Sequence, residues 1–203
     1  MPTSAWTFRT RSSVPMTVAV ALIAAGFAAG QWYSGGPAAF AAAAPLALAA
    51  AFAGWLVFYK PCVRVDDEGV QVVNPLVRYE VPWPALIEVR TRYAATFVTP
   101  HRTVQAFAAP GPGRHAAILA TSADVRGMNV DARKVPVGLG DIPTSPSGQV
   151  ATVVRRRWEE LSASNRIALG EADTTAVTRS VDVRDAVVLA CLVIVGVVAL
   201  VLV

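Results

Sequence analysis

Val63-Arg64-Val65-Asp66-Asp67-Glu68-Gly69-Val70-Gln71-Val72 is the stretch on which the fold turns. Val63 and Val65 alternate with Arg64, and Val70 and Val72 alternate with Gln71. A period of two puts the valines on one face of a pleated strand and the polar residues on the other. Between the two runs lies Asp66-Asp67-Glu68-Gly69, a turn cluster in which Gly69 offers positive φ without steric cost. The stretch predicts a β-hairpin.

Toward the C-terminus the same period continues. Asn74-Pro75 marks a second turn, and Val77, Tyr79 and Val81 carry a third strand that Pro82-Trp83-Pro84 ends. Residues 86–92 predict a fourth, with Ile87 and Val89 on one face and Glu88 and Arg90 on the other. Residues 95–99 and 104–109 flank Pro100-His101-Arg102-Thr103 as a further hairpin, closed by Pro110-Gly111-Pro112-Gly113. From 114 to 144, Gly, Pro and Asp punctuate short apolar runs at 116–120 and 135–139, where a last strand and a long loop both fit. Then Ser145 can cap a helix and Pro146 suits its first turn. Val150, Val153, Val154, Trp158 and Leu161 follow at spacings of three and four, a stripe for the core. Arg155, Arg156 and Arg157 fall mostly off that stripe. The polar, small residues 164–185 read as a tether.

Away from this block the chain is apolar. Three uncharged segments, about 14–32, 37–59 and 186–203, each approach the 17 to 25 residues a helix needs to span a bilayer. The link Trp32-Tyr33-Ser34-Gly35-Gly36 is short enough that the first two form an antiparallel hairpin. Gly26 and Gly30 make a GxxxG pair suited to close helix approach, against the plainer reading that Gly and Ala are simply frequent in such helices. Arg9 and Arg11 precede the first segment, Lys60 and Arg64 follow the second, and Arg179 and Arg184 precede the third. Basic flanks stay cytoplasmic, which places the polar block inside and the link and C-terminus outside. A competing reading makes the start a cleaved signal peptide ending in Ala28-Ala29-Gly30; it leaves the side of the polar block unchanged. The expected organisation is 1–60 for the N-terminal segment and hairpin, 61–163 for a cytoplasmic domain, 164–185 for the tether and 186–203 for a third transmembrane helix.

Composition agrees with that division. The 203 residues are 54% hydrophobic and 16% charged, against about 25% charged in ordinary soluble chains. The net charge is +4. Thirteen basic residues from Lys60 to Arg157 face ten acids from Asp66 to Glu160, leaving the polar block near +3. So small and scattered an excess argues against nucleic acid and allows a mild attraction to anionic headgroups. Cys62 and Cys191, the two cysteines, have no CxxC or Cys/His spacing, which disfavours structural zinc and a disulfide framework.

Six or seven antiparallel strands followed by one amphipathic helix is the order of a pleckstrin-homology (PH)-like barrel. Particular residues carry the likeness: Val63-Arg64-Val65-Asp66-Asp67-Glu68-Gly69-Val70, Val72, Asn74-Pro75-Leu76 and Val81-Pro82-Trp83. Over roughly residues 40–110 the chain resembles the small bacterial PH-like domains of actinobacterial membrane proteins, which often follow a two-helix membrane hairpin. The third apolar segment and residues 114–144 fall outside the resemblance. It implies a membrane-anchored domain without known catalysis. The fold expected is therefore an α+β membrane protein with three transmembrane helices and a PH-like antiparallel β-barrel or sheet capped by a C-terminal amphipathic helix.

Signals for chemistry are few. His101 and His115 have no metal-ligand neighbours at helical or hairpin spacing. Gly111–Gly113 and Gly138–Gly140 are GxG fragments outside any phosphate-binding context, and neither GxSxG nor a P-loop occurs. No catalytic, cofactor-binding or metal-binding residue is expected, and no enzymatic activity. Asp66-Asp67-Glu68 at the first hairpin turn would repel phosphate, which disfavours specific phosphoinositide binding. Trp83 reads either as a core residue or as an exposed anchor for a partner. Arg155, Arg156 and Arg157 read either as a solvated helix face or as a headgroup or partner patch. Two functions remain: a noncatalytic membrane-anchored adaptor binding a protein partner, with a membrane complex or a homo-oligomer as its setting, and an inner-leaflet headgroup sensor.

Overall fold

A computed structural model describes residues 5–111, 145–167 and 170–202. The runs at 116–120 and 135–139, His115 and Gly138–Gly140 lie outside them. In chain order the elements are β1 (Trp6–Phe8), α1 (Ser13–Gly54) with a closing π-helical turn (Trp55–Tyr59), β2 (Cys62–Val65), β3 (Gly69–Val73) and β4 (Val77–Pro82). There follow a 3-10 turn (Trp83–Ala85), β5 (Glu88–Arg90), β6 (Ala94–Val98), β7 (Thr103–Pro110), α2 (Pro146–Ala163), β8 (Thr178–Val181) and α3 (Val183–Leu202). They divide into two compact units: Met1–Thr10 with Cys62–Ser180, and Arg11–Pro61 with Val181–Val203.

Among the described residues the first unit holds two antiparallel sheets and α2, a PH-like arrangement. One sheet runs in the order β1-β2-β3-β4-β8 and the other β5-β6-β7. Val63 stands opposite Val72, and Val72 opposite Tyr79, so the alternation in the sequence sets the register. Val63, Val70, Val72 and Val81 are buried with Phe97, Val104 and Ala106 of the second sheet. Val150, Ala151, Val154 and Leu161 of α2 complete the same core. Burying each large apolar side chain contributes roughly 1.5 to 3 kcal/mol, so this shared core binds helix to sheets. Asn74 ties turn to strand: its amide donates to the Gln105 carbonyl and accepts from the Phe107 N–H, both at 2.9 Å. Ser145 caps α2 by accepting from the Gly148 N–H at 2.9 Å, and Pro146 sits in the first turn.

Several expectations are corrected in this unit. Gly69 does not adopt positive φ; a Cβ there would run into the Val81 backbone, so close strand approach requires the glycine. Ile87 does not share the buried face of Val89: it is 59% exposed while Val89 is 6% exposed. Regular strand geometry starts only at Glu88, after the turn that Trp83–Ala85 imposes, so alternation does not extend back to Ile87. Part of the expected N-terminal segment, Trp6–Phe8, pairs with β2, and part of the expected tether, Thr178–Val181, extends the sheet beside β4.

Among the described residues the second unit has two helical elements long and apolar enough to cross a membrane, Ser13–Tyr59 and Val183–Leu202, where three were expected. The first contains both predicted segments because Gly36 turns the chain within one helical element. Its φ of 69° and ψ of −164° are a conformation essentially restricted to glycine. Pro37 then starts the second arm with φ already suited to a helix. The arms fold back on each other: Ala24 and Ala28 cluster with Ala47, and Trp32 meets Phe40 edge to face at 5.5 Å. The GxxxG pair plays no part in this packing, since a Cβ on Gly26 or Gly30 would meet nothing within 4 Å. Close approach occurs instead where Val20 lies against Gly54, and where Leu46 lies 2.5 Å from the Cβ position of Gly196 on α3.

Candidate functional site

The first hairpin turn is built from the inside. The Asp66 carboxylate accepts from the backbone N–H groups of Glu68 and Gly69, both at 3.0 Å. Trp83 is 2% exposed and donates its indole N–H to the Asp66 carbonyl at 3.1 Å. Its core reading therefore holds. Burial removes it as a surface contact.

The three arginines do not form one patch. Successive helix residues are separated by about 100°, so adjacent side chains fan apart. Arg155 donates to the Val89 carbonyl at 2.8 Å, joining α2 to β5. Arg156, 80% exposed, pairs with Glu160 at 2.9 Å. Arg157 pairs with Asp67 of the hairpin turn and with Glu160 at 3.2 Å, while Arg166 reaches Asp67 at 3.5 Å. The hydrogen bond to Asp67 chiefly raises Arg157 above its ordinary pKa. Hydrogen bonds from Arg156 and then Arg157 hold Glu160 below the usual carboxylate value. Beside the turn a depression of about 190 Å³ is lined by Asp66, Glu68, Gln71 and Glu80 among others, a surface that repels phosphate. Among the described residues, no group of three or more His, Cys, Asp or Glu side chains is placed to hold a metal ion.

Concavity and apolar exposure coincide elsewhere. A groove of about 270 Å³ runs between β5 and α2, lined by Leu86, Ile87, Glu88, Val89, Arg155, Trp158 and Glu159. Leu86 and Val89 are nearly buried, Ile87 is open to solvent, and Trp158 is half-buried against the core. Among the described residues β5 pairs only with β6 and is the edge of its sheet. Arg155 thus belongs to the groove, whereas Trp83, Arg156 and Arg157 do not line it. Ile87 and Trp158 were legible as apolar residues, yet both read as core. No sequence signal marked Glu159.

In the second unit Lys60 lies 2.6 Å from both Asp182 and Asp185, the latter through a hydrogen bond. Burial opposes its charge, but the two carboxylates outweigh it and raise Lys60 above the usual lysine value. This ion cluster secures the start of α3 to the end of α1.

No curated protein and no solved structure matches the chain. Residues 60–137 do match a family, the one described as Bacterial PH domain. That match takes in β2 to β7, the two sheets' principal strands and the β5 wall of the groove.

Proposed function

We propose that the protein is a noncatalytic, membrane-anchored adaptor whose PH-like domain binds a protein partner through the β5–α2 groove. The groove is the observation that carries this reading: Ile87, 59% exposed, and half-buried Trp158 both line it, beside a strand that among the described residues is the edge of its sheet. Exposed strand edges and apolar grooves are recurrent surfaces for peptide recognition. Anchoring is supported by the two apolar helices and by α3's solvent-facing valines, isoleucine and leucines, such as Ile194 at 61% exposure. Water penalises such a surface and lipid does not. Lys60 and Arg64 beyond α1, with Arg179 and Arg184 at the approach to α3, support a cytoplasmic position for the domain. Against headgroup sensing stands the hairpin turn, where Asp67 occupies Arg157 and Arg166.

A photoreactive phenylalanine analogue at Ile87, with one at exposed Tyr93 as control, tests the reading in intact cells. The expected result is a discrete protein adduct from position 87 and none from 93. Adducts from neither position, or the same ladder from both, would overturn it.

A further inference from the structure

We infer that one rim of the PH-like domain rests on the lipid surface, with Leu76 and Phe107 entering the boundary between headgroups and acyl chains and Arg78 meeting lipid phosphate. The inference rests on the anchoring half of the adaptor reading and adds which side of the domain meets lipid. Chain length selects the rim. Lys60 and Pro61 alone separate Tyr59, the end of the first apolar helix, from Cys62 at the head of β2, a reach of roughly 10 Å. Thr10, three residues before α1 begins at Ser13, donates its hydroxyl to the Ala108 carbonyl of β7. The head of β2 and the Ala108 region of β7 are therefore each a few residues from an end of that helix.

Side chains on that rim suit lipid. Val73 stands opposite Cys62, and Arg78 opposite Val73, so Arg78 shares the row of Cys62. The turn that follows Val73 is bound to Phe107 through the Asn74 amide. Leu76 in that turn is 38% exposed and Phe107 is 53% exposed. Apolar side chains of this kind bury about 5 to 10 Å into the headgroup boundary. The Arg78 side chain is partly exposed, and among the described residues it has no hydrogen-bond or ionic partner. A phosphate oxygen supplies that acceptor through a charge-assisted hydrogen bond. Asp66, Asp67 and Glu68 lie past the other end of β2, roughly 13 Å along the strand from Cys62. The acidic turn is thus held away from the headgroups it would repel.

The test uses the full chain, with Cys62→Ser and Cys191→Ser, in nanodiscs of phosphatidylcholine and phosphatidylglycerol. A nitroxide is attached in turn through Leu76→Cys, Phe107→Cys, Glu68→Cys and Ile194→Cys. Its collisions with oxygen, which concentrates in lipid, are compared with those of a water-soluble nickel chelate. Oxygen should dominate at 76, 107 and 194, and the chelate at 68. With the label at 76, Arg78→Gln should raise the ratio of undocked to docked spectra about fivefold, the weight of one basic residue at an anionic surface. Leu76, Arg78 and Phe107 lie outside the buried core, so unchanged thermal unfolding verifies that the variants fold. Chelate dominance at 76 and 107 with oxygen dominance at 194 would overturn the inference and leave the anchoring intact. Shielding of 76 and 107 from both reagents would overturn it as well, because protein would then cover the rim. An Arg78→Gln ratio equal to that of the parent would remove the phosphate contact. Chelate dominance at 194 would remove the anchoring, and the inference with it.

Discussion

Trp83 joins two jobs in one side chain: its ring fills the core between the sheets, and its N–H fixes the Asp66 carbonyl of the hairpin turn. Trp83→Phe keeps most of the ring and loses the hydrogen bond, so unfolding of the full chain in detergent should show a loss of about 1 to 3 kcal/mol. An unchanged melting temperature would mean that the turn does not depend on the indole. At the same scale the arginine triplet shows why a run of like charges misleads. Read linearly, Arg155, Arg156 and Arg157 make a basic patch; on a helix they reach a strand carbonyl, a neighbouring glutamate and a hairpin aspartate in turn.

Among the elements, α1 depends on Gly36. Gly36→Leu places a Cβ in a backbone region that side chains avoid, at a cost of about 1 to 3 kcal/mol. Disulfide trapping between cysteines at Ala28 and Ala47 reports whether the arms still meet: it should be efficient in the parent and reduced in the Gly36 variant. The start of α3 depends on Lys60. Because its folded pKa lies above the ordinary 10.5, the stabilisation is complete below 10.5 and is lost as pH rises through the folded value. Lys60→Arg stays charged further into alkali. Crosslinking of α3 to α1 should therefore fail at lower pH in the parent than in Lys60→Arg, and identical profiles would remove Lys60 as the clamp. The central sheet was legible because β2, β3 and β4 are consecutive, alternate with period two and meet at turns rich in Asp, Gly, Asn and Pro. β1 and β8 were not. Each is three or four residues long and pairs with a strand distant in sequence, and only tertiary packing selects such pairs. The groove was illegible for a related reason: Ile87 continues the apolar alternation of Val89 in sequence, and only the turn at Trp83–Ala85 rotates it outward.

For the whole molecule, the proposed anchoring makes a claim about sides. In a background lacking Cys62 and Cys191, a cysteine at Glu68 should react with a membrane-impermeant maleimide only after permeabilisation, and one at Ser34 in intact cells. Equal labelling of both in intact cells would contradict the orientation read from Arg and Lys. The central claim, that this anchored domain works by holding another protein in the β5–α2 groove, is tested most directly by quantitative mass spectrometry of what co-purifies in mild detergent. Wild type and Ile87→Glu would be compared at equal yield and equal melting temperature. The account predicts a protein retained in near-stoichiometric amount by wild type and lost from Ile87→Glu; the same partner retained equally by both would contradict it.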